Sequence, residues 1–384
     1  MYDFSMTEAQ KALQEEIRGF GQEVMTPGAA QRDVDHYFDR SIWTKSGDLG
    51  IPGLTIPASY GGRGLDAVST VIALEALGYG STDSGMNFSL AAHLLACVIP
   101  IWLYGSESQK QRLLPSLCDG SWIATNAMTE PTAGSDAFNL ASVAEAIEGG
   151  YILNGHKNFC SNGPVADLVL SYHLTDASKG FFGGISAFLS EKGKHDFEAS
   201  EKVEKMGVRT CQMGEIRFTN TAVDEEALLG RVGAGGMIFN HSMEWERICL
   251  GALHIGAMDR MMKKAVKFAK ERKSGGKSIS AYQAVSHPLA NLQVRIDSAR
   301  LLTYKAAWKL DQKKPVGYDA ALCKLAVSET YKDFAIQLNQ LFAGKAFREN
   351  SDVEQILRDA VGSTIYSGTS EVLRNITARH MGMN

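Results

Sequence analysis

The sequence predicts an α+β multidomain fold in which two helical domains flank a β domain. Helical periodicity fills roughly residues 7–118 and returns after Gly236, whereas the stretch between alternates with a period of two and carries Gly-Gly and Asn-Gly punctuation. At 384 residues the chain is long enough for two or three domains, each with a buried core. The expected units are an N-terminal helical domain over 1–120, a middle β domain over 121–230 and a C-terminal helical bundle over 231–384.

In the first unit Leu13, Ile17, Phe20 and Val24 recur at steps of three and four, and Ile72, Leu74 and Leu77, then Leu94, Val98 and Trp102, continue the helical pattern. The glycine-rich stretch from Ile56 to Gly64 is a loop between helices. In the second unit Val143, Glu145 and Ile147 alternate up to a turn at Gly149-Gly150. Tyr151–Leu153, Asn154-Gly155 and Lys157–Phe159 read as a hairpin, because Asn-Gly accepts the positive φ values of a type I′ turn. Leu168–Tyr172, Ile185–Leu189 and Glu215–Thr219 are further strands. In the third unit Trp245, Ile248, Cys249, Ala252, Ile255 and Met262 form one helical stripe, and Leu322, Leu325, Tyr331, Phe334, Leu338 and Leu341 another, as in a bundle of long helices.

Composition narrows the function classes. Hydrophobic and charged fractions of 45% and 21% are those of a globular protein, and a net charge of −4 argues against nucleic-acid binding. The first residues lack a basic and an apolar signal region, and the longest apolar run, around Leu90–Leu103, is interrupted by His93 and Pro100, so no membrane span is expected. Cys97, Cys118, Cys160, Cys211, Cys249 and Cys323 are widely spaced, which predicts reduced, buried thiols and a cytoplasmic protein. No histidine spacing fits a metal site. Neither Gly-x-Gly-x-x-Gly nor a phosphate loop is present, so a nicotinamide cofactor on a Rossmann cradle is not expected.

Two segments draw attention on chemical grounds. Met128-Thr-Glu-Pro-Thr-Ala-Gly-Ser-Asp136 is a tight turn whose amides and hydroxyls can cradle a polar ligand, or a plain surface turn. Glu246, in Met-Glu-Trp-Glu-Arg, shares a helix face with Leu250, Leu253 and Ala257; a carboxylate there is costly unless it is paired, with Arg247 or a lysine, or functional. Glu244 points to the other side of the same helix and is the second choice.

These segments, with Lys157–Asn162, Arg272–Gly276, Gln340–Gly344 and Tyr366–Glu371, resemble the acyl-coenzyme A dehydrogenase family of flavoenzymes. The resemblance runs in order from Phe4 to Arg374. It implies an N-terminal helical domain, a middle β-barrel and a C-terminal four-helix bundle, assembled as a homotetramer around flavin adenine dinucleotide (FAD). It implies that Met128, Thr129 and Ser135 lie beside the flavin, Ser135 also touching substrate, that Phe159 packs on the ring, where the family usually has Trp, and that Ser161 bonds its edge. Arg272, Gln283, Gln340 and Gly344 match residues that reach a neighbouring subunit's cofactor, with Gly275, Ala343 and Ala346 departing from the usual pattern; Thr369 and Glu371 complete the cofactor set.

In many members the residue after the Tyr of this last motif is a Glu that removes the substrate α-proton. Here it is Ser367, a poor base, and a minority branch carries the carboxylate at the position of Glu246. The resemblance therefore implies FAD-dependent α,β-oxidation of an acyl thioester with Glu246 as base, Glu244 near the pantetheine arm, and Arg247, Ser367 and Gly368 lining the substrate site. The wording around Trp245 and over Phe159–Asp167 is similar to members that oxidise prolyl groups on carrier proteins in natural-product pathways. The alternatives are a short branched-chain enzyme of the isovaleryl-coenzyme A type, and a flavin- or thioester-binding scaffold without catalysis. Dehydrogenase and oxidase readings stay open, with an electron-transfer flavoprotein or O2 as acceptor. The basic stretch from Lys263 to Lys277 is a solvated helix face or a docking site for an acidic carrier protein.

Overall fold

The computed structural model describes residues 5–137 and 139–383; Phe4 of the opening motif, residues 1–3, Phe138 and Asn384 lie outside them. The N-terminal helices are α1 (Glu8–Phe20), α2 (Ala29–Val34), α3 (Arg40–Asp48), α4 (Ala67–Gly80), α5 (Ser84–His93), α6 (Ile99–Tyr104) and α7 (Glu107–Cys118). A capping box starts α1: Thr7 Oγ1 accepts from Gln10 N and Gln10 Oε1 accepts from Thr7 N. Beyond Phe20 a π-helical turn, Gly21–Met25, inserts one residue into the repeat. Met25 is thereby buried, and Val24, an expected core position, is half-buried.

The apolar run from Ser84 to Tyr104 is one continuous helix of 21 residues, long and apolar enough to cross a membrane by length and composition, but 83% of its most apolar 18-residue stretch is buried in the protein. His93 and Pro100 do not interrupt it. Pro100 cannot donate to the carbonyl of Ala96, and the side chain of Asn126 does so instead, Nδ2 to O, at 3.0 Å. A π-helical turn over Leu94–Val98 makes room for this insertion.

The middle region holds β1 (Ala124–Ala127), β2 (Val143–Ile147), β3 (Gly150–Ser161), β4 (Leu168–Leu174), β5 (Ile185–Glu191), β6 (Phe197–Ala199), β7 (Met213–Asp224) and β8 (Leu228–Leu229). They form one sheet in the order β6-β7-β3-β2-β4-β5-β8, with β1 parallel to β4. The expectation of a barrel meets an open path whose outermost strands, β6 and β8, each pair on one side only among the described residues. The hairpin expected at Asn154-Gly155 is not there. β3 runs straight through these residues, and its register against β7 shifts between Leu153 and Gly155, which makes the pair a β-bulge. Ser142 presses so close that a side chain at 155 would meet its Oγ at 2.0 Å. The turn expected at Gly149-Gly150 is there, with Gly149 at φ 76°, between β2 and β3.

The single turn α8 (Phe181–Gly184) precedes the C-terminal helices α9 (Gly235–Cys249), α10 (Gly251–Glu271), α11 (Gln283–Asp311), α12 (Gly317–Phe342), α13 (Asp352–Ser363) and α14 (Ser370–His380), with a small hairpin of β9 (Lys273–Ser274) and β10 (Lys277–Ser278) before α11. Met258, Leu292, Ile296, Phe334, Leu338 and Ile356 join α10, α11, α12 and α13 in one core. The stripe predicted on α9 and α10 is buried throughout, whereas the one on α12 is buried at Tyr331, Phe334 and Leu338 and only half-buried at Leu322, Leu325 and Leu341. Ala320, Cys323, Lys324 and Val327 face inward and Leu322 and Leu325 are half-buried, because small residues let the head of α12 approach α9 closely.

Candidate active site

Glu246 lies on α9 and is 7% exposed. No cation pairs with it among the described residues; its Oε1 accepts a short hydrogen bond from the hydroxyl of Ser367. Burial raises its pKa above the ordinary carboxylate range, and the Ser367 bond and the charges of Arg247 and Lys324 only partly offset this. The salt bridge weighed as the alternative is absent: Arg247 Nε donates instead to the carbonyl of Ser367, at 2.9 Å.

The loop between α13 and α14 owes its shape to that contact. Ser367 and Gly368 both have positive φ, 56° and 92°, a conformation that costs a residue with a side chain about 1 kcal/mol or more. Two cations hold it in place. Arg247 takes the carbonyl of Ser367, and Lys324 Nζ donates to the carbonyl of Gly368 at 2.8 Å. Burial and the neighbouring guanidinium lower the pKa of Lys324 to about 8. Tyr366 closes the other side, its hydroxyl 2.7 Å from His254 Nε2 and its ring 4.8 Å from that of Phe88. Thr369 caps α14 through Val372 N, and Glu371 is exposed in its first turn.

A second group gathers where β1 ends. Thr129 accepts at its carbonyl from Asn158 N, at 2.8 Å, and Thr125 Oγ1 donates to Ser161 O at 2.7 Å, so the loop from Met128 lies against the end of β3. Phe159 sits in a second bulge of β3, with φ 53°, and is 56% exposed. An aromatic side chain turned out of its strand in this way offers a flat apolar face. Beneath it Lys157 and Glu130 form a buried ion pair of 2.7 Å, and Glu130 also accepts from the backbone of Ala141 and Ser142. These bonds fix the base of the loop. Met128 is buried, Ser135 is exposed, and the hydroxyls of Thr129 and Ser135 have no hydrogen-bond partner among the described residues. An exposed aromatic face beside free hydroxyls fits a flat heterocycle with polar edges, as FAD has.

The two groups meet through Tyr172. Asn126, just before Met128, donates to its hydroxyl at 3.4 Å, and its ring packs edge-on to Phe239 of α9, at 5.5 Å. Burial raises its pKa, with the charge of Glu246 adding to the effect.

Arg272, Gln283, Gln340 and Gly344 are all exposed and lie elsewhere. Arg272 stands 26 residues beyond Glu246 along nearly continuous helix, about 39 Å at 1.5 Å per residue. Stacking of Phe268 on Phe342, 4.4 Å apart, brings the ends of α10 and α12 together, and with them Arg272, Gln340 and Gly344. Gln283 opens α11 directly after the β9–β10 hairpin. Ala343 has φ 50° and ψ −131°, a glycine-like conformation at a position where the resemblance expects glycine, whereas Ala346 is right-handed.

Glu244 is half-buried, its pKa raised by burial. A side chain on Gly317 would lie 3.3 Å from its Oε1, which places the head of α12 beside it. Sequence reasoning missed Lys324 and Asn126, and gave Tyr366 no role of its own. The legible signal was a lone lysine among Ala320, Cys323 and Ser328, a small-residue face where a cation has to find a partner.

Comparison with known proteins gives three consecutive family matches: acyl-CoA dehydrogenase N-terminal domain over residues 7–121, middle domain over 125–221 and C-terminal domain over 233–382. An L-prolyl-[peptidyl-carrier protein] dehydrogenase of Pseudomonas fluorescens is 40% identical over 354 residues, covering 92% of this chain and 93% of its own. The solved structure of PigA with FAD and proline superimposes with a TM-score of 0.97 at 37% identity over all of both chains. That of the prolyl acyl carrier protein oxidase AnaB gives 0.96 at 36% identity, over 99% of this chain and 100% of the other.

Proposed function

The chain belongs to the acyl-CoA dehydrogenase family, and from that premise we propose that it is an FAD-dependent enzyme that oxidises the Cα–Cβ bond of a prolyl thioester on a carrier protein. The observation that carries this reading is Glu246: a carboxylate buried without a counter-ion, hydrogen-bonded to the residue that stands where many relatives have their base. Bound FAD supplies the two-electron acceptor for the hydride that leaves Cβ. The loop from Met128 to Ser135, Phe159 and Ser161 would hold its ring, with Thr369 and Glu371 at its edge.

Glu246 removes the α-proton, and its desolvation makes it a stronger base than a carboxylate in water. Ser367 orients the carboxylate. The backbone amide of Gly368, fixed from below by Lys324 and Arg247, is the donor available to a thioester oxygen as negative charge develops on it. The reading carries three domains, 1–120, 121–230 and 231–384, and a homotetramer in which Arg272, Gln283, Gln340 and Gly344 serve a neighbour's FAD, since their distance from Glu246 in one chain leaves them no role at their own site. An electron-transfer flavoprotein or O2 reoxidises the enzyme.

Anaerobic flavin bleaching with a panel of thioesters tests the proposal. Prolyl carrier protein should bleach the flavin with higher efficiency than isovaleryl- or butyryl-coenzyme A. The reverse order would assign the chain to the branched-chain acyl-coenzyme A enzymes, and no bleaching by any thioester would leave a binding scaffold.

A further inference from the structure

The outward stripe of α9 runs from the surface to the Ser367 loop that holds Glu246. Met237 and Asn240 are exposed, His241 and Glu244 are half-buried, and Arg247 ends the stripe at the carbonyl of Ser367. These residues follow at steps of three and four, so they line one side of the helix over about 15 Å. His241 is held to Tyr104, Nδ1 to hydroxyl, at 2.7 Å. The stripe has a length suited to an extended pantetheine arm and leads from solvent to the loop whose Ser367 holds the base.

The surface around its mouth is apolar and basic. Phe182 of the α8 turn, 76% exposed, is neighboured by Val232 and Met237, because Gly233 and Gly236 allow the 181–183 backbone to touch the head of α9. Such a cluster of exposed large apolar side chains marks an interaction surface. Arg231 stands beside it. On the opposite side, where Gly317 and His380 flank Glu244, the α11–α12 turn presents Lys313 and Lys314, and the end of α14 presents Arg379. None of these four cations has an ion pair among the described residues; Lys314 lies over the ring of Trp308. Asp176 is engaged by Lys179, Asp311 by the backbone amides of Ala67 and Val68, and Asp319 by Lys305 and Lys309.

Resting on the substrate reading above, we propose that this rim is the docking surface for the carrier protein, an acidic partner whose thioester arm enters along the Met237–Arg247 stripe. The basic stretch from Lys263 to Lys277 does not serve this purpose. Its nearest member is about 25 Å along the helix from Glu246. Several of its lysines are also occupied: Lys263 by Tyr79, Lys264 by Asp352, Lys267 by Glu271 and Lys277 over Tyr282.

The FAD-loaded enzyme is assayed with two substrates sharing one prolyl thioester: prolyl on the holo carrier protein, and prolyl-pantetheine, which has the arm without the protein. Lys313→Glu with Lys314→Glu, and separately Arg231→Glu, should raise KM for the carrier substrate about tenfold or more, while kcat and the prolyl-pantetheine constants stay within about twofold. Lys267→Glu with Lys273→Glu is the control and should leave the carrier KM unchanged. An unchanged carrier KM in the rim variants, or an equal loss on prolyl-pantetheine, overturns the docking surface and leaves the substrate reading standing. A wild-type enzyme inert toward both prolyl thioesters overturns that reading and the docking surface with it.

Discussion

The hydroxyl of Ser367 donates to the carboxylate of Glu246 across 121 positions of sequence. The bond joins the residue proposed as base to the one that replaces the base of many relatives. It also gives Ser367 a task that a hydroxyl can do: it holds the lone pair of Glu246 in one direction, and it keeps the carboxylate pKa from rising as far as burial alone would take it.

Glu246→Gln preserves shape and removes the proton acceptor, so flavin should bind normally while its reduction by substrate slows by about 10²–10⁴-fold. Glu244→Gln should mainly raise KM, since Glu244 lies on the outward stripe of α9 and not beside Ser367. Stopped-flow reduction of the two variants separates the roles; a larger rate loss in Glu244→Gln would transfer the base to that residue.

The pH dependence of kcat/KM should be bell-shaped. Glu246 has to be ionised, so the acid limb should lie above the ordinary carboxylate range, and Ser367→Ala should move it higher still. The alkaline limb belongs to Lys324, which loses its proton near about 8 and with it the charge under Gly368. Lys324→Met should abolish that limb and lower the plateau; a wild-type profile that stays flat from pH 7 to 10 would refute the assignment.

His93 makes a stability prediction of definite sign. It is fully buried, its Nε2 donating to Leu117 O and its Nδ1 accepting from Ala124 N, both at 2.9 Å, so the neutral ring is the one the fold needs. Burial lowers its pKa to about 4, below an unfolded value near 6.5. The unfolded chain therefore takes the proton first. The stabilisation is complete above pH 6.5 and is lost as pH falls toward 4, by about 3 kcal/mol at most. Urea midpoints of wild type and His93→Asn at pH 7 and pH 4.5 should converge at the lower pH; a constant gap would show that the histidine does not titrate in this window.

Ala343 keeps a glycine-like backbone without being glycine. Ala343→Gly should relieve the strain of a Cβ in that conformation and stabilise the chain by about 1 kcal/mol, seen as a rise in Tm. A fall in Tm would mean that the loss of chain stiffness outweighs the strain.

The parts of the site legible in the sequence were those where a residue contradicts its surroundings. Glu246 stood out because a carboxylate interrupts an apolar face. Lys324 interrupts such a face too, but the stripe was drawn through Leu322 and Leu325, the bulkier neighbours, and the lysine fell on the face taken for solvent. The heavier side chains are not the more buried ones where two helices approach closely over alanine and cysteine. Asn154-Gly155 misled for a different reason: the glycine is needed because Ser142 leaves no room for a side chain, not for a positive φ, and only the pairing of β3 with β7 shows the bulge. At Val24 and Met25 a single inserted residue moved the repeat, which no fixed period registers.

The separation of Arg272 from Glu246 has a genetic consequence. On the proposed assembly, the chain that supplies the base to a site is not the chain that supplies the distant grip on its cofactor. A chain carrying Glu246→Gln and a chain carrying Arg272→Ala are then defective in different halves of every site. Mixed in one oligomer at equal amounts, they leave roughly a quarter of the sites with both halves intact. Two alleles that are each impaired alone would partly rescue one another in the same cell, whereas two alleles altered at Glu246 never would.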